Sequence, residues 1–360
     1  LGCNTAYGMG GIGQHFAHMV EESRAAGVLL QYLALAGKEN DPRARVVSPP
    51  WWVSYVHACP PVRWSPGWRS HLVNDAYDRA LAASLPSAGT AYMGFVGKSL
   101  RTFEAARSHG YDRLELVAAN SYVNNVARLH EAAARQTGIQ DTWLNAAQRK
   151  KTRAEYTMAD TIYVHSSYVR QSFLDAGIPA EKLVRTYLCP DPRFQPPASR
   201  PHDDIFRIVY VGRLDATKGI PILIEAFSRW EAANARLTLV GGWSTSVMRR
   251  YMQQALAHDK RIIVAPGDPL PALQQADVFV HPSFEDGFGY GPVEALACGV
   301  PVIATADTGM AEYISEGVNG YVVPTGEPTA IVDRLEQLRA TPLATTTSLW
   351  PEEPVQTTAG

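Results

Sequence analysis

The chain has 360 residues, which is enough for two domains of ordinary size that each bury a core. Its 33 lysines and arginines nearly balance its 35 aspartates and glutamates, and the net charge of −2 argues against a nucleic-acid-binding protein. The four cysteines are far apart and show no metal-ligand spacing, which favours a reducing compartment over a disulfide framework. We therefore expect a cytoplasmic protein, and the apolar stretch 27–36 is too short to span a bilayer, which needs ~20 residues.

The first half of the chain alternates short apolar segments with helical ones. Residues 1–4 are typical of the end of a strand, and the glycine-rich turn 7–13 leads into a helix predicted over 14–26. Glycine in such a turn is explained equally well by chain reversal and by a bound ligand. Further strands are predicted at 114–119 and 161–167, so this half is an α/β domain.

Two local clusters in this half have alternative interpretations. The rings between residues 50 and 70 are either a wall that binds an acceptor or a membrane interface, or they fill the core and cover a loop, which is the commoner use. The basic run 148–153 either contacts acidic lipid headgroups or an anionic acceptor, or is a solvated helix face, which is again commoner. A weak peripheral contact with a membrane is therefore one of our expectations. The tryptophans of the first cluster are Trp51, Trp52, Trp64 and Trp68.

A proline-rich segment at 190–201 separates this half from a second α/β region, and it is typical of an interdomain linker. The sequence predicts an amino-terminal domain over 1–195 and a carboxy-terminal domain over 196–340. Residues 341–360 lack helical periodicity, and we expect a mobile tail there.

The second domain opens with a strand at 206–211, followed by Arg213, Lys218 and an amphipathic helix predicted over 220–232. An arginine fork and a mobile lysine charge suit the oxygens of a diphosphate, and each charge-assisted hydrogen bond contributes about 1.5–3 kcal/mol. The alternative is a pair of exposed cations with no common ligand.

Four more buried strands are predicted at 237–242, 261–267, 276–282 and 301–305, with helices between them. This order is typical of a parallel, doubly wound sheet.

The strand at 276–282 runs into a turn with glycines at 287, 289 and 291, and a helix is predicted to begin at Pro292. Glycines admit close approach of a ligand, and a helix N-terminus favours phosphate. Asp286 and Glu294 bracket this turn with seven residues between them, and carboxylates beside a phosphate site suit the hydroxyl groups of a sugar and a ribose.

Asp286-x7-Glu294, followed by Ala-Leu-Ala-Cys-Gly-Val-Pro, resembles the acid-x7-Glu motif of retaining glycosyltransferase family 4. The Gly-Arg-x4-Lys-Gly stretch that contains Arg213 and Lys218 resembles the diphosphate site of the same family. The resemblance implies an α/β protein of GT-B architecture, in which two Rossmann-like domains with parallel sheets face each other across a cleft and bind a nucleotide-sugar donor.

By this resemblance, Arg213 and Lys218 hold the diphosphate, Asp286 orients the transferred sugar, and Glu294 binds the ribose. Glu285 is the alternative sugar-facing acid, and the spacing favours Asp286. The segment 264–267 lies beside the nucleobase, and no cofactor or divalent metal is implied. The donor-binding residues are Gly10, Gly11, Arg213, Lys218, Phe288, Gly289, Tyr290, Gly291 and Glu294.

The family often places a donor-contacting histidine where this chain has residues 120–122, and we interpret His130 as an ordinary helix residue. The function implied is retaining transfer of a sugar to a carbohydrate, lipid or small-molecule acceptor. The alternatives are a nucleotide-sugar epimerase or phosphorylase of the same fold, and a sugar- or nucleotide-binding protein without turnover.

Overall fold

The structure is a computed structural model that describes residues 1–56, 58–60, 62–201, 203–343 and 347–350. The chain divides into two compact units. The amino-terminal unit comprises Leu1–Ala127 and Thr142–Thr186, and the carboxy-terminal unit comprises Arg128–Asp141 together with the chain from Tyr187 onward. The boundary expected between residues 195 and 196 stays a prediction.

The amino-terminal unit contains a four-stranded parallel sheet of order β3-β4-β5-β6 and a separate parallel pair, β1-β2. Its strands are β1 (Tyr32–Ala34), β2 (Ala44–Val46), β3 (Ala91–Phe95), β4 (Arg113–Ala118), β5 (Thr161–Val164) and β6 (Leu183–Arg185). Its helices are α1 (Gly10–Ala25), α2 (Pro66–Ala83), α3 (Leu100–Ser108), α4 (Val123–Thr137, which continues into the other unit), α5 (Ala146–Met158) and α6 (Ser167–Asp175).

Two amino-terminal predictions are wrong in their bounds. The strand predicted at residues 1–4 is reduced to one parallel bridge between Gly2 and Leu33, because the chain bends away immediately after it. The first helix begins at Gly10 and not at Gln14, because the packing of its apolar face overrides the low helix propensity of glycine.

The carboxy-terminal unit contains a six-stranded sheet of order β12-β11-β10-β7-β8-β9, and every pair is parallel. This confirms the doubly wound sheet. Its strands are β7 (Phe206–Val211), β8 (Ala235–Val240), β9 (Ile262–Val264), β10 (Val278–His281), β11 (Val302–Thr305) and β12 (Gly320–Val323). Its helices are α7 (Ile220–Arg229), α8 (Ser246–His258), α9 (Leu270–Gln275), α10 (Tyr290–Ala297) and α11 (Pro328–Ala340).

The sheet of the carboxy-terminal unit is buried on both faces. Ile208 and Tyr210 of β7 point into one core cluster, while Val209 points into the other. The alternation follows from the period of two along a strand. Ala133 and Ile139 join the first of these clusters, which is why segment 128–141 belongs to this unit.

Part of the predicted tail contacts this unit. The backbone N–H of Leu349 donates to the carbonyl oxygen of Leu296 at 2.8 Å. The ring of Trp350 stacks on that of Tyr313 at a centroid distance of 5.3 Å. Residues 344–346 and 351–360 of the predicted tail lie outside the described residues.

We predict that Gly219→Ala destabilises the chain far more than Gly317→Ala. Both glycines have left-handed backbones, with φ of +70° and +72°, and an L-residue there costs roughly 1–2 kcal/mol. Only at Gly219 would the added Cβ also overlap the chain, 1.9 Å from the carbonyl oxygen of Pro282, and overpacking adds about 1–3 kcal/mol. Denaturant unfolding of the two variants measures the difference, and equal losses of stability would contradict this account.

Candidate functional site

Two predicted loops leave the sheet of the carboxy-terminal unit at the same edge. The cation loop, residues 212–219, follows β7, and the glycine turn, residues 282–291, follows β10. β7 and β10 are parallel neighbours, so the carboxyl ends of both strands lie together, where ligands bind in open α/β sheets. The backbone N–H of Phe284 donates to the carbonyl oxygen of Thr217 over 2.9 Å, which joins the loops directly.

A salt bridge also joins the two loops. Lys218 Nζ lies 2.6 Å from Asp286 Oδ2 and donates to the carbonyl oxygen of Glu285 at 3.3 Å. The side chains of Lys218 and Asp286 are only 19% and 16% exposed, so water screens the pair weakly. Burial, the largest single influence, raises the pKa of Asp286, but the ammonium of Lys218, the neighbouring His281 and hydrogen bonds from Lys218 and the Phe288 backbone N–H together hold that pKa below its ordinary value. The structure therefore brings together a predicted phosphate-binding cation and the predicted sugar-facing acid.

Asp215 fixes the conformation of the cation loop, and our sequence analysis missed it. Its buried carboxylate accepts hydrogen bonds from Arg213 Nε, from Thr217 Oγ1 at 2.7 Å and from the backbone N–H of Lys218 at 2.8 Å. Burial is the largest single influence and opposes ionisation, but the charges of Arg213 and Lys218 and the hydrogen bonds from Thr217 and Arg213 together lower the pKa of Asp215. The side chain of Arg213 is still 48% exposed, so it lies at the surface of this edge. The presence of an aspartate between Arg213 and Lys218 was the sequence signal that could have identified Asp215.

Segment 128–141 places two more ionisable groups beside the cation loop. Asp141 accepts hydrogen bonds from Ser244 Oγ at 2.6 Å and from the backbone N–H of Ala216 at 3.4 Å, and burial raises the pKa of its carboxyl group. Burial also lowers the pKa of His130 to about 3, so its imidazole is neutral. From the sequence alone, His130 is interpreted as an ordinary helix residue, and no signal points to Asp141, since 75 positions separate it from Ala216.

The glycines of the turn meet two different structural needs. Gly289 has a φ of +94°, which disfavours any other residue. A Cβ on Gly291 would lie 2.9 Å from the carbonyl oxygen of Val211 and 3.0 Å from the ring of Phe279. Gly291 therefore lets α10 pack closely against β7, a need that neither sequence interpretation of the turn, as a ligand site or as a glycine-rich connector, included.

The side chain of Phe288 faces the core. It is 2% exposed, and its ring packs edge-on against those of Tyr313 and Trp350 at centroid distances of 5.0 and 6.2 Å. A ligand at the glycine turn would thus meet the backbone of Phe288 and not its ring. Tyr290, at the start of α10, is half-buried.

Glu294 is buried within α10 and is 4% exposed. Burial raises the pKa of its carboxyl group to about 7; Arg193 opposes this shift, and Asp191 and Asp268 reinforce it. Arg193 is itself paired with Asp268 at 2.9 Å, so its charge is shared. The two acids of the Asp-x7-Glu motif therefore differ in charge state near neutral pH.

The other predicted donor-binding positions lie outside the two loops. Gly10 and Gly11 are exposed in the first turn of α1, in the amino-terminal unit. Backbone N–H groups in a first turn lack helical partners, so both glycines keep donors for a ligand. The segment 264–267, predicted beside a nucleobase, follows β9 in the carboxy-terminal unit.

The interpretation in which the amino-terminal tryptophans fill the core is wrong, while the one in which their rings cover a loop stays a prediction. Trp51, Trp52, Trp64 and Trp68 are 79%, 38%, 67% and 49% exposed. They lie on two short 3-10 helices and the first turn of α2, whose apolar contacts are made by smaller residues such as Val53. A role for these rings in binding an acceptor or a membrane stays a prediction.

The basic run 148–153 is also not simply a solvated face. Lys151 is 4% exposed in its side chain, and its Nζ lies 2.7 Å from Asp78 Oδ2, which is fully buried. Its charge is thus used inside the amino-terminal unit and cannot reach an acidic surface, because removing a buried partner would leave Asp78 uncompensated.

Within the ranges given above, no group of three or more histidine, cysteine or acidic side chains is arranged to hold a metal ion. Over the same ranges, no helix has both the length and the apolar character that crossing a membrane requires.

We predict that Glu294→Gln changes how stability depends on pH. The folded-state pKa of about 7 lies above the ordinary value of 4.5, so the stability contributed by protonated Glu294 is complete below pH 4.5 and is lost as the pH rises through 7. The amide of the variant stays neutral at every pH. The melting temperature of the variant minus that of wild type should therefore rise between pH 5 and pH 8, and the matching gain in free energy of unfolding is at most roughly 3 kcal/mol. Glu231→Gln, at an exposed position, is the control. Parallel curves for Glu294→Gln and wild type would refute the shift.

Solved structures with a similar fold cover nearly the whole chain. Sucrose-phosphate synthase of Thermosynechococcus elongatus gives a TM-score of 0.73 at 19% identity, covering 96% of this chain and 88% of that one. HepE of Anabaena, in complex with UDP and glucose, gives 0.64 at 16% identity, covering 97% and 91%. At such identities the likeness shows the fold alone, and it confirms the predicted GT-B class.

Sequence relatives match a part of the chain. The capsular polysaccharide biosynthesis glycosyltransferase CapM of Staphylococcus aureus is 33% identical over 141 residues, which are 38% of this chain and 37% of that protein. A D-inositol 3-phosphate glycosyltransferase of Corynebacterium glutamicum is 34% identical over 143 residues, 36% and 34% of the two chains. The chain thus spans little more than a third of the length of these curated relatives. The family model of glycosyl transferases group 1 matches residues 193–345.

Proposed function

We propose that the chain is a retaining glycosyltransferase that moves a sugar from a nucleoside-diphosphate sugar to a carbohydrate, lipid or small-molecule acceptor. The observation that carries the proposal is the contact between Lys218 and Asp286, which unites a cation for phosphate and an acid for sugar hydroxyls at one sheet edge. HepE, a structural neighbour, was solved with UDP-glucose, which supports uridine donors as the first to test.

The diphosphate of the donor would be held by Arg213, Lys218 and the N-terminus of α10. Its roughly two negative charges match the two cations, and each charge-assisted hydrogen bond contributes about 1.5–3 kcal/mol. The unpaired N–H groups at the start of α10 add a partial positive charge. Because these groups neutralise the diphosphate, the proposal requires no divalent metal. Glu294 would bind the ribose hydroxyls.

The chemistry proposed is a displacement on one face of the sugar. The acceptor oxygen bonds to the anomeric carbon while the bond from that carbon to the phosphate oxygen breaks. The leaving diphosphate takes the electron pair, and its oxygen takes the acceptor proton, so the anomeric configuration is retained. Asp286 would orient the hydroxyls of the transferred sugar, and Arg213 and Lys218 would stabilise the charge that develops on the leaving group.

The acceptor would bind in the amino-terminal unit. Gly10 and Gly11 offer backbone donors at the start of α1, and exposed aromatic rings such as Trp51 and Trp64 bind sugar rings through their faces. The same exposed rings would make a weak peripheral contact with a membrane if the acceptor is a lipid.

We predict that Arg213→Ala and Lys218→Ala abolish stabilisation by nucleoside diphosphates. UDP, GDP and ADP are each added at about 100 times their Kd for wild type, where a ligand stabilises the folded chain by about 2.7 kcal/mol. The melting temperature of each variant with nucleotide is compared with that of the same variant without nucleotide. Arg249→Ala, which removes an exposed cation from α8, should keep the full shift. An unchanged shift in either loop variant would argue against the assignment of that residue.

We predict that Asp286→Asn keeps nucleotide binding and loses turnover, because an amide cannot replace the carboxylate that accepts sugar hydroxyls. Release of nucleoside diphosphate from UDP-, GDP- and ADP-glucose is measured with and without acceptors, and the loss should be at least ~100-fold. Glu285→Gln is the comparison, and full activity in Asp286→Asn would transfer the role to Glu285. A wild-type chain that binds nucleotide and never releases diphosphate would be a binding protein.

A further inference from the structure

His281 is the last residue of β10, directly behind the glycine turn. Its ring is buried, with 4% of the residue exposed. A Cβ built on Gly289 would lie 3.4 Å from both Cε1 and Nε2 of the ring, so the imidazole packs against the backbone of the turn. Nothing in our sequence analysis gave this residue a role.

The imidazole faces the salt bridge of the candidate site. His281 Nε2 lies 3.5 Å from Asp286 Oδ2, and the same oxygen binds Lys218 Nζ at 2.6 Å. Both ring nitrogens of His281 are buried and make no hydrogen bond within the part of the chain that the structure describes. A buried polar atom without a partner is costly and requires an explanation.

The imidazole of His281 is neutral near pH 7. Burial lowers its pKa to about 4, the charge of Asp286 opposes that shift, and Lys218 reinforces it. A neutral imidazole carries one N–H donor. Placed on Nε2, that donor needs to move only about 0.3–0.8 Å to reach normal hydrogen-bond distance from Asp286.

Donor binding would break the existing arrangement. This inference rests on the proposed function: when a diphosphate draws the ammonium of Lys218 away, Asp286 loses its main partner. Asp286 would then keep only the smaller contributions of His281 and of the Phe288 backbone N–H, so the pKa of its buried carboxyl group would rise. A second cation beside it would keep it neutralised and weaken its hydrogen bonds to sugar hydroxyls, whereas a neutral N–H would fix the orientation of the carboxylate and leave its charge in place.

We propose that His281 is a positioning residue, whose Nε2–H takes over Asp286 Oδ2 when the diphosphate of the donor takes Lys218. The exchange keeps Asp286 ionised and oriented toward the transferred sugar throughout turnover. His281 itself touches no substrate, and nucleotide affinity does not depend on it.

Three variants of His281 test the exchange. His281→Gln places an amide N–H near the position of Nε2, His281→Asn places one near Nδ1, where it cannot reach Asp286, and His281→Leu has no donor. We expect all three to keep the stabilisation by UDP, GDP or ADP that wild type shows. With UDP-, GDP- and ADP-glucose, kcat for diphosphate release should fall roughly 10- to 100-fold in the Leu and Asn variants at nearly unchanged donor KM, and Gln should restore most of it.

The pH profile separates this role from mere packing. A carboxylate that loses a hydrogen-bond donor has a higher pKa, so the acid limb of kcat should move to higher pH in the Leu and Asn variants and stay in place in Gln. If the His281→Leu variant fails to fold, the comparison of His281→Gln with His281→Asn tests the exchange by itself, since both of these side chains are polar.

The outcomes are distinguishable from failure of the proposed function. If wild type neither binds the nucleotides nor releases diphosphate, the function is wrong. If wild type turns over, either of two results overturns the exchange alone. The first is that His281→Leu or His281→Asn keeps the wild-type kcat and acid limb. The second is that His281→Gln loses as much activity as His281→Asn.

Discussion

The salt bridge between Lys218 and Asp286 is the interaction on which the candidate site depends. It joins two loops that are 68 residues apart in the chain but leave neighbouring parallel strands at the same edge. Both side chains are largely withdrawn from water, so their attraction is screened little. In the free chain each charge satisfies the other. Under the proposed function, a bound diphosphate would compete with Asp286 for the ammonium, which would couple occupancy of the proposed phosphate site to the ionisation state of Asp286.

Burial and pairing shift the pKa values of the two acids of one motif in opposite directions. Asp286 has the ammonium of Lys218 beside it and keeps its pKa low, whereas Glu294 lies in α10 with two further acids among the charges that act on it, and its pKa rises. Asp215 shows the same rule as Asp286, because the charge of Arg213 compensates its burial. The environment of each carboxyl group, and not its residue type, sets what it can bind.

The sequence could predict what local pattern controls. Strands such as β7 and β10 are mainly apolar because both faces of a parallel sheet are buried, and such apolar runs can be recognised without coordinates. Bounds failed where packing overrides propensity, as at Gly10 in α1. The prediction of burial for the rings from Trp51 to Trp68 failed for another reason. Tryptophan side chains are usually packed, but composition does not say which tryptophans of a chain are packed and which are exposed.

The sequence by itself determined the fold class and the chemical groups of the candidate site, because periodicity, glycine spacing and the positions of Arg213, Lys218 and Asp286 are all local in the chain. Only the tertiary structure decided which of these groups touch, and which unforeseen ones join them. Asp141 reaches Ala216, 75 positions away, through packing of segment 128–141 in the carboxy-terminal unit, and the conformation of the turn after β10 brings His281 to Asp286. Such contacts depend on how strands and helices are arranged in space, and no spacing along a single chain records that arrangement.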